Sequence, residues 1–137
     1  MSHLFCPYQE AIELKQLGFE EDCFGWYFKD KSFYTGLITI NSGFLLAPLY
    51  QQAFDWFREK HGITCVIMDF IDDEIGVEWD YSIHKIGTDI DKNGNWTPLI
   101  DYSIDDPERK FKTYKDAKLA CLQKLITLVK NDNTTRS

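Results

Sequence analysis

The sequence predicts an α+β fold: one domain with a largely antiparallel sheet of about five strands and three helices, in the order α-β-β-α-β-β-β-α. Three observations carry this expectation. Pro48–Lys60 and Tyr114–Lys130 repeat apolar residues at helical spacing. Between them, Val77, Trp79, Tyr81 and Ile83 alternate with Glu78, Asp80, Ser82 and His84, the period of a strand with one wet face. The 137 residues, 44% hydrophobic and 15% aromatic, suffice for one core. Residues 1–130 are expected to form that domain, with 131–137 as a flexible polar tail.

Each element has its own local reason. Pro7 suits a first helical position, Tyr8, Ala11, Ile12 and Leu14 share a face, and Gly18 offers a stop. Cys23–Phe28 and Tyr34–Ile40, rich in aromatic and β-branched residues, read as a strand pair across Lys29–Phe33. Asn41-Ser42-Gly43 is a linker. In Pro48–Lys60, Leu49, Tyr50, Ala53, Phe54, Trp56 and Phe57 fall in one arc, and Gly62 ends the helix. Ile63–Phe70 is a nearly continuous apolar run, which predicts a central strand. Trp96–Ile104 returns antiparallel after an Asn93-Gly94 turn, and Pro98 assigns it to an edge. Thr113 and Asp116 predict a capped start for the last helix, with Tyr114, Ala117, Cys121, Leu125 and Leu128 inward and Lys118 and Lys124 flanking.

Charge is distributed unevenly. Asp69 to Glu108 holds twelve acids against Lys85 and Lys92, whereas Arg109 onward holds eight bases against Asp116 and Asp132. The whole chain carries −7, with a pI near 4.9. That balance disfavours nucleic-acid binding by phosphate neutralisation, and the lysine-rich last helix is expected mainly to pack. Cys6, Cys23, Cys65 and Cys121 are scattered among apolar residues with no C-x-x-C pair, as in a reducing compartment. The start lacks the basic and apolar regions of a secretory signal, and no apolar run approaches the roughly 20 residues of a membrane span. A cytoplasmic protein without membrane contact is expected.

Asp89, Asp91, Asn93 and Asn95, with Gly94, match the first half of a calcium loop. Ile100 stands where the bidentate glutamate belongs, so a hairpin turn is favoured over a divalent-cation site. Glu78, Asp80 and His84 share a strand face, but Glu78 and His84 lie about 20 Å apart along it, too far to meet at one atom. No nucleophile elbow and no Gly-rich phosphate loop occurs, and no cofactor or enzymatic activity is expected.

Leu46-Ala-Pro-Leu-Tyr-Gln-Gln-Ala-Phe-Asp-Trp-Phe-Arg-Glu-Lys60 resembles a segment of small uncharacterised proteins of bacteriophages and prophages from gut Bacteroidota-like bacteria. Phe111-Lys-Thr-Tyr-Lys-Asp-Ala-Lys-Leu-Ala-Cys-Leu-Gln-Lys-Leu-Ile126 resembles that group's C-terminal helix, and Glu13–Cys23 its start. The resemblance implies a shared fold and a phage-type accessory role, without an assigned chemistry. With the acidic block, it points to binding of a protein, host or self, with Asp72, Asp73, Glu74, Glu78 and Asp80 steering a basic partner. Inhibition of a host defence or nucleic-acid enzyme is one such role. The alternatives are a small-molecule or nucleotide binder, with the ligand held between aromatic side chains of the sheet, and a structural, oligomeric phage protein. The bland alternative for the acids is solvation and protection of exposed strands.

Overall fold

Apolar residues on both sides of a strand demand cover on both sides, and this chain supplies it unevenly. The structure, a computed structural model, describes residues 2–38, 43–74, 76–85, 93–94, 100–101 and 110–136. They fall into two compact units, Met1–Trp56 with Leu122–Ser137, and Phe57–Cys121. Each holds one three-stranded antiparallel sheet. The α+β class, the three helices and the antiparallel pairing are as predicted. The strands are shared between two sheets rather than gathered in one.

In the first unit a 3-10 turn, Ser2–Leu4, leads to α1, Tyr8–Gln16. Pro7 stands at the cap rather than inside the helix, in an extended conformation, and its carbonyl accepts the Ala11 N–H at 2.9 Å. Gly18, at φ +102°, closes α1 as the sequence predicts. Ala11 and Leu14 are buried, with Glu10 beside them, while Tyr8 and Ile12 are half-buried. Strands β1, Cys23–Tyr27, and β2, Phe33–Ile38, pair with Trp26 opposite Tyr34. The turn between them holds Lys31 at φ +68°, a left-handed conformation seldom taken by a residue other than glycine.

A short strand absent from the sequence reading, β3, Leu45–Ala47, pairs with the other edge of β1. Three residues are too few to show a period. One core cluster of this unit is Phe5, Ala11, Tyr27 and Ala47, with Tyr8, Phe33, Leu45 and Leu49 against it. Phe5 bridges Leu49, and Cys6 donates its N–H to the Pro48 carbonyl at 2.8 Å. These contacts hold Pro48 and Leu49 in extended backbone, which is why α2, Tyr50–His61, starts two residues after the proline. Tyr50, Ala53, Trp56 and Phe57 are buried, as their arc predicts.

In the second unit β4, Ile63–Asp72, and β5, Gly76–Lys85, form a hairpin in unbroken register. β6, Ile100–Asp101, pairs with the far edge of β5. The order β4-β5-β6 corrects the expectation that the apolar run forms the central strand. β5, with its alternating pattern, is central, and among the described residues β4 is an edge. The run misleads because Val66 and Phe70 point to a face left open. Phe111 and Trp79 exchange backbone hydrogen bonds, both 2.8 Å.

α3 spans Tyr114–Arg136, so the helix continues past the expected end at Lys130. Thr113 caps it as predicted, its hydroxyl accepting the Asp116 N–H at 3.0 Å. Ala117, Cys121 and Leu125 are buried, and so are Leu122, Ile126 and Val129. Tyr114 is the correction: it is 46% exposed, and the ammonium of buried Lys118 lies 5.3 Å from its ring centroid. A cation above the face of an aromatic ring favours that outward position.

Gly25 sits in the middle of β1, where a methyl group would meet Phe5 Cδ1 at 2.7 Å, Phe5 Cε1 at 2.8 Å and Phe33 Cε2 at 2.9 Å. The two rings pack 5.0 Å apart above it. Gly25→Ala must push a buried ring aside, an overpacking that costs about 1–3 kcal/mol. Urea unfolding followed by circular dichroism is expected to show that loss.

Candidate functional site

The residues named from sequence as partner-binding collect on the β4–β5 hairpin. Asp72 ends β4 opposite Gly76, and Asp73 and Glu74 stand exposed in the turn. Glu78 lies opposite Phe70 and Asp80 opposite Met68, on the face that also carries Val66, Ser82 and His84. The register therefore brings Glu78 and Asp80 to one apolar-studded face, with Asp73 and Glu74 at its end. The other face carries Trp79, Tyr81 and Ile83. Tyr81 stacks on Phe111, and Trp79 meets Tyr114 edge to face at 5.2 Å.

Exposed apolar side chains accompany the acids. Val66, 53% exposed, and Phe70 lie on the face of Glu78 and Asp80, while Ile71, 80% exposed, and Val77 pair on the other face at the tip. The Lys110 ammonium lies 4.3 Å from the Phe70 ring centroid, a positive charge on an otherwise acidic surface. The signal for this patch was present in the sequence as the apolar run at Ile63–Ile71, but that run reads equally as a buried strand.

Ser82 Oγ lies 2.8 Å from His84 Nε2. Asp80 stands on the other side of Ser82, about 13 Å from His84 along the strand. Its Oδ1 accepts the Tyr81 N–H at 2.7 Å, so this carboxylate does not orient that imidazole. Of the proposed cation ligands, Asp89, Asp91 and Asn95 lie outside the described residues. Asn93 is exposed in a turn beside Gly94, which has φ +85°. Among the described residues no three His, Cys, Asp or Glu side chains group as a metal site, and no helix is long and apolar enough to cross a membrane.

The first unit presents a surface that no sequence argument singled out by residue. Along β1, Cys23, Gly25 and Tyr27 point into the core. Phe24 and Trp26 point away from it, and Phe28 continues that row just past the strand. Trp26 stacks on Tyr34 at 4.9 Å and meets Phe44 at 4.6 Å and Phe28 at 5.0 Å. Phe24, Phe28, Tyr34 and Phe44 are all exposed. Beside them opens a cleft of about 580 Å³ between α1, the β1–β2 turn and the segment entering β3. The alternation along β1 was legible, but both of its parities are apolar, so the pattern did not reveal which side stays uncovered.

Cys23, buried in β1, has its thiol held in the protonated form. Burial, and then the charges of Glu21 and Asp22, push the Cys23 thiol from 9.0 up to about 12. Its Sγ–H donates to the Glu21 carbonyl at 3.3 Å. Burial likewise raises the phenols of Tyr27 and Tyr50. These groups are neutral in the fold and ionise at lower pH once unfolded. The stability linked to them is therefore complete below about pH 9 and declines as pH climbs towards 12. Urea midpoints are expected to fall between about pH 9 and pH 11, and less steeply for Cys23→Ala, while iodoacetamide at about pH 8 leaves native Cys23 unmodified.

No family model, curated protein or solved structure matches the chain.

Proposed function

We propose that the protein acts by binding, and that the β4–β5 hairpin is the surface it offers to a protein partner with a basic, partly apolar face. The observation that carries this reading is the exposure of the hairpin tip: Ile71, at 80%, and its partner Val77 on one face, and Phe70 and Val66 on the face of Glu78 and Asp80. A soluble domain seldom leaves such a group of large apolar side chains open unless something covers it. Among the described residues β4 is an edge strand of its sheet, the position at which strand addition by a partner takes place. Asp73, Glu74, Glu78 and Asp80 add a negative field that speeds encounter and selects a positive partner, while the apolar side chains supply affinity.

The resemblance to phage and prophage proteins supports a partner in the bacterial cytoplasm. A host defence or nucleic-acid enzyme with a basic groove is the proposed class. The acids then occupy the place of a phosphate backbone, and the apolar tip inserts beside them.

The immobilised chain is expected to capture a basic protein from bacterial lysate, with recovery dropping as salt rises from about 0.05 to about 0.5 M. Charge reversal by Asp73→Lys with Glu74→Lys lowers recovery at low salt about tenfold or more, and Ile71→Asp lowers it at all salt concentrations. Recovery indifferent to salt and to the reversal, or no capture, overturns the reading. A dimer in light scattering that Ile71→Asp dissolves would overturn it in favour of a second copy of the chain.

A further inference from the structure

The cleft in the first unit has a chemistry of its own, separate from the acidic hairpin. Its lining includes Tyr8, Lys15, Phe28, Lys29, Asp30 and Phe44, around about 580 Å³. That volume is in the range of small-molecule sites. Phe28 and Phe44 stand edge to face at 5.1 Å and 85°, and Trp26 contacts both rings. Both rings, braced by Trp26, remain partly exposed. A second hollow of about 450 Å³ shares Lys15 and Phe44, so these two side chains border both.

The electrostatics of the mouth favour an anion. Lys15 and Lys29 are exposed on its lining, and the Lys31 ammonium sits 5.5 Å from the centroid of the Tyr8 ring. One acid, Asp30, stands on the same lining, so Lys15 and Lys29 leave it one net positive charge. The Asp30 carboxylate accepts the Ser32 N–H at 3.0 Å and the Ser32 hydroxyl, and these hydrogen bonds hold it below the usual carboxylate range. Glu13, on another side of α1, pairs with Lys130. Lysines at the rim and rings within suit a planar ring system that carries a negative group.

We propose that this cleft binds a free nucleotide: the base stacks on Phe44 and meets Phe28 edge to face, and the phosphate lies between Lys15 and Lys29. Stacking on an aromatic side chain is tolerant of base identity, and lysine serves phosphate as a point charge. The site is therefore expected to distinguish nucleotides from nucleosides more sharply than one base from another. The chain's overall charge of −7 favours a mononucleotide over a strand, which carries a phosphate at every residue.

Titration calorimetry of the full chain with AMP, UMP, adenosine, inorganic phosphate and an eight-nucleotide oligo(A) tests this. Saturable binding of AMP and UMP at similar affinity is expected, with adenosine weaker by about tenfold or more and phosphate alone silent. Phe44→Ala, at an exposed position that leaves the core intact, weakens AMP about tenfold. Lys15→Ala with Lys29→Ala weakens AMP to the level of adenosine without altering the adenosine affinity. Circular dichroism confirms that the variants fold. Equal affinity for AMP and adenosine, or no binding of either, overturns the proposal. Tighter binding of oligo(A) than of AMP overturns the assignment to a free nucleotide and gives the site to a nucleic-acid strand.

Discussion

Gly25 is the position on which the first unit turns. Because β1 carries no side chain there, Phe5 and Phe33 lie directly against its backbone. That contact brings the chain start beside the entry to α2, where Cys6 bonds to Pro48 and Tyr27 donates its hydroxyl to the Cys6 carbonyl at 2.9 Å. The core is closed on one side of this three-stranded sheet, and on the opposite side Phe24, Phe28, Tyr34 and Phe44 are exposed. The inner residues fix where the outer ones stand, since side chains on a strand alternate.

The same constraint governs the hairpin. β4 and β5 register so that Tyr81 and Ile83 are buried while Val66 and Phe70 face outward. Both sheets have apolar side chains on two faces, and in both the chain buries mainly one. This is where the sequence was least informative. Periodicity located β1, β2, α2, β5 and α3, because each repeats a pattern over enough residues to be distinctive. It read β4 as central, since an apolar run implies two-sided burial, and only the strand order shows it at an edge. It passed over β3, which is three residues long, and it turned Tyr114 inward, where the structure sets it beside Lys118.

The candidate sites were legible to different degrees for the same reason. The acids of the hairpin were visible as a charge block, and period two placed Glu78 and Asp80 on one face. The cleft was invisible by residue. Tyr8, Lys15, Lys29 and Phe44 come from α1, a turn and a strand entry, and only the fold brings them together. A ligand site made of side chains distant in sequence has no motif to find. The general expectation of a ligand between aromatic rings rested on composition, and composition does not say which rings are open.

Whether the acids of the hairpin protect a strand edge or address a partner turns on what lies beside them. Protection alone calls for charge or proline along the edge and for apolar side chains kept short or turned in. β4 follows that scheme at Asp69 and departs from it at Ile71, the most exposed large apolar side chain described, two positions from the turn acids. A charge at that position would guard the edge better and would cost the core nothing, because Ile71 contributes little burial. Phe70 departs from it as well, and the Lys110 ammonium over its ring covers only one side of it. On the proposed function, an edge guarded by acids yet tipped with isoleucine excludes most neighbours and admits one that is basic and apolar together, which is how charge and hydrophobic contact divide selectivity and affinity at a specific interface.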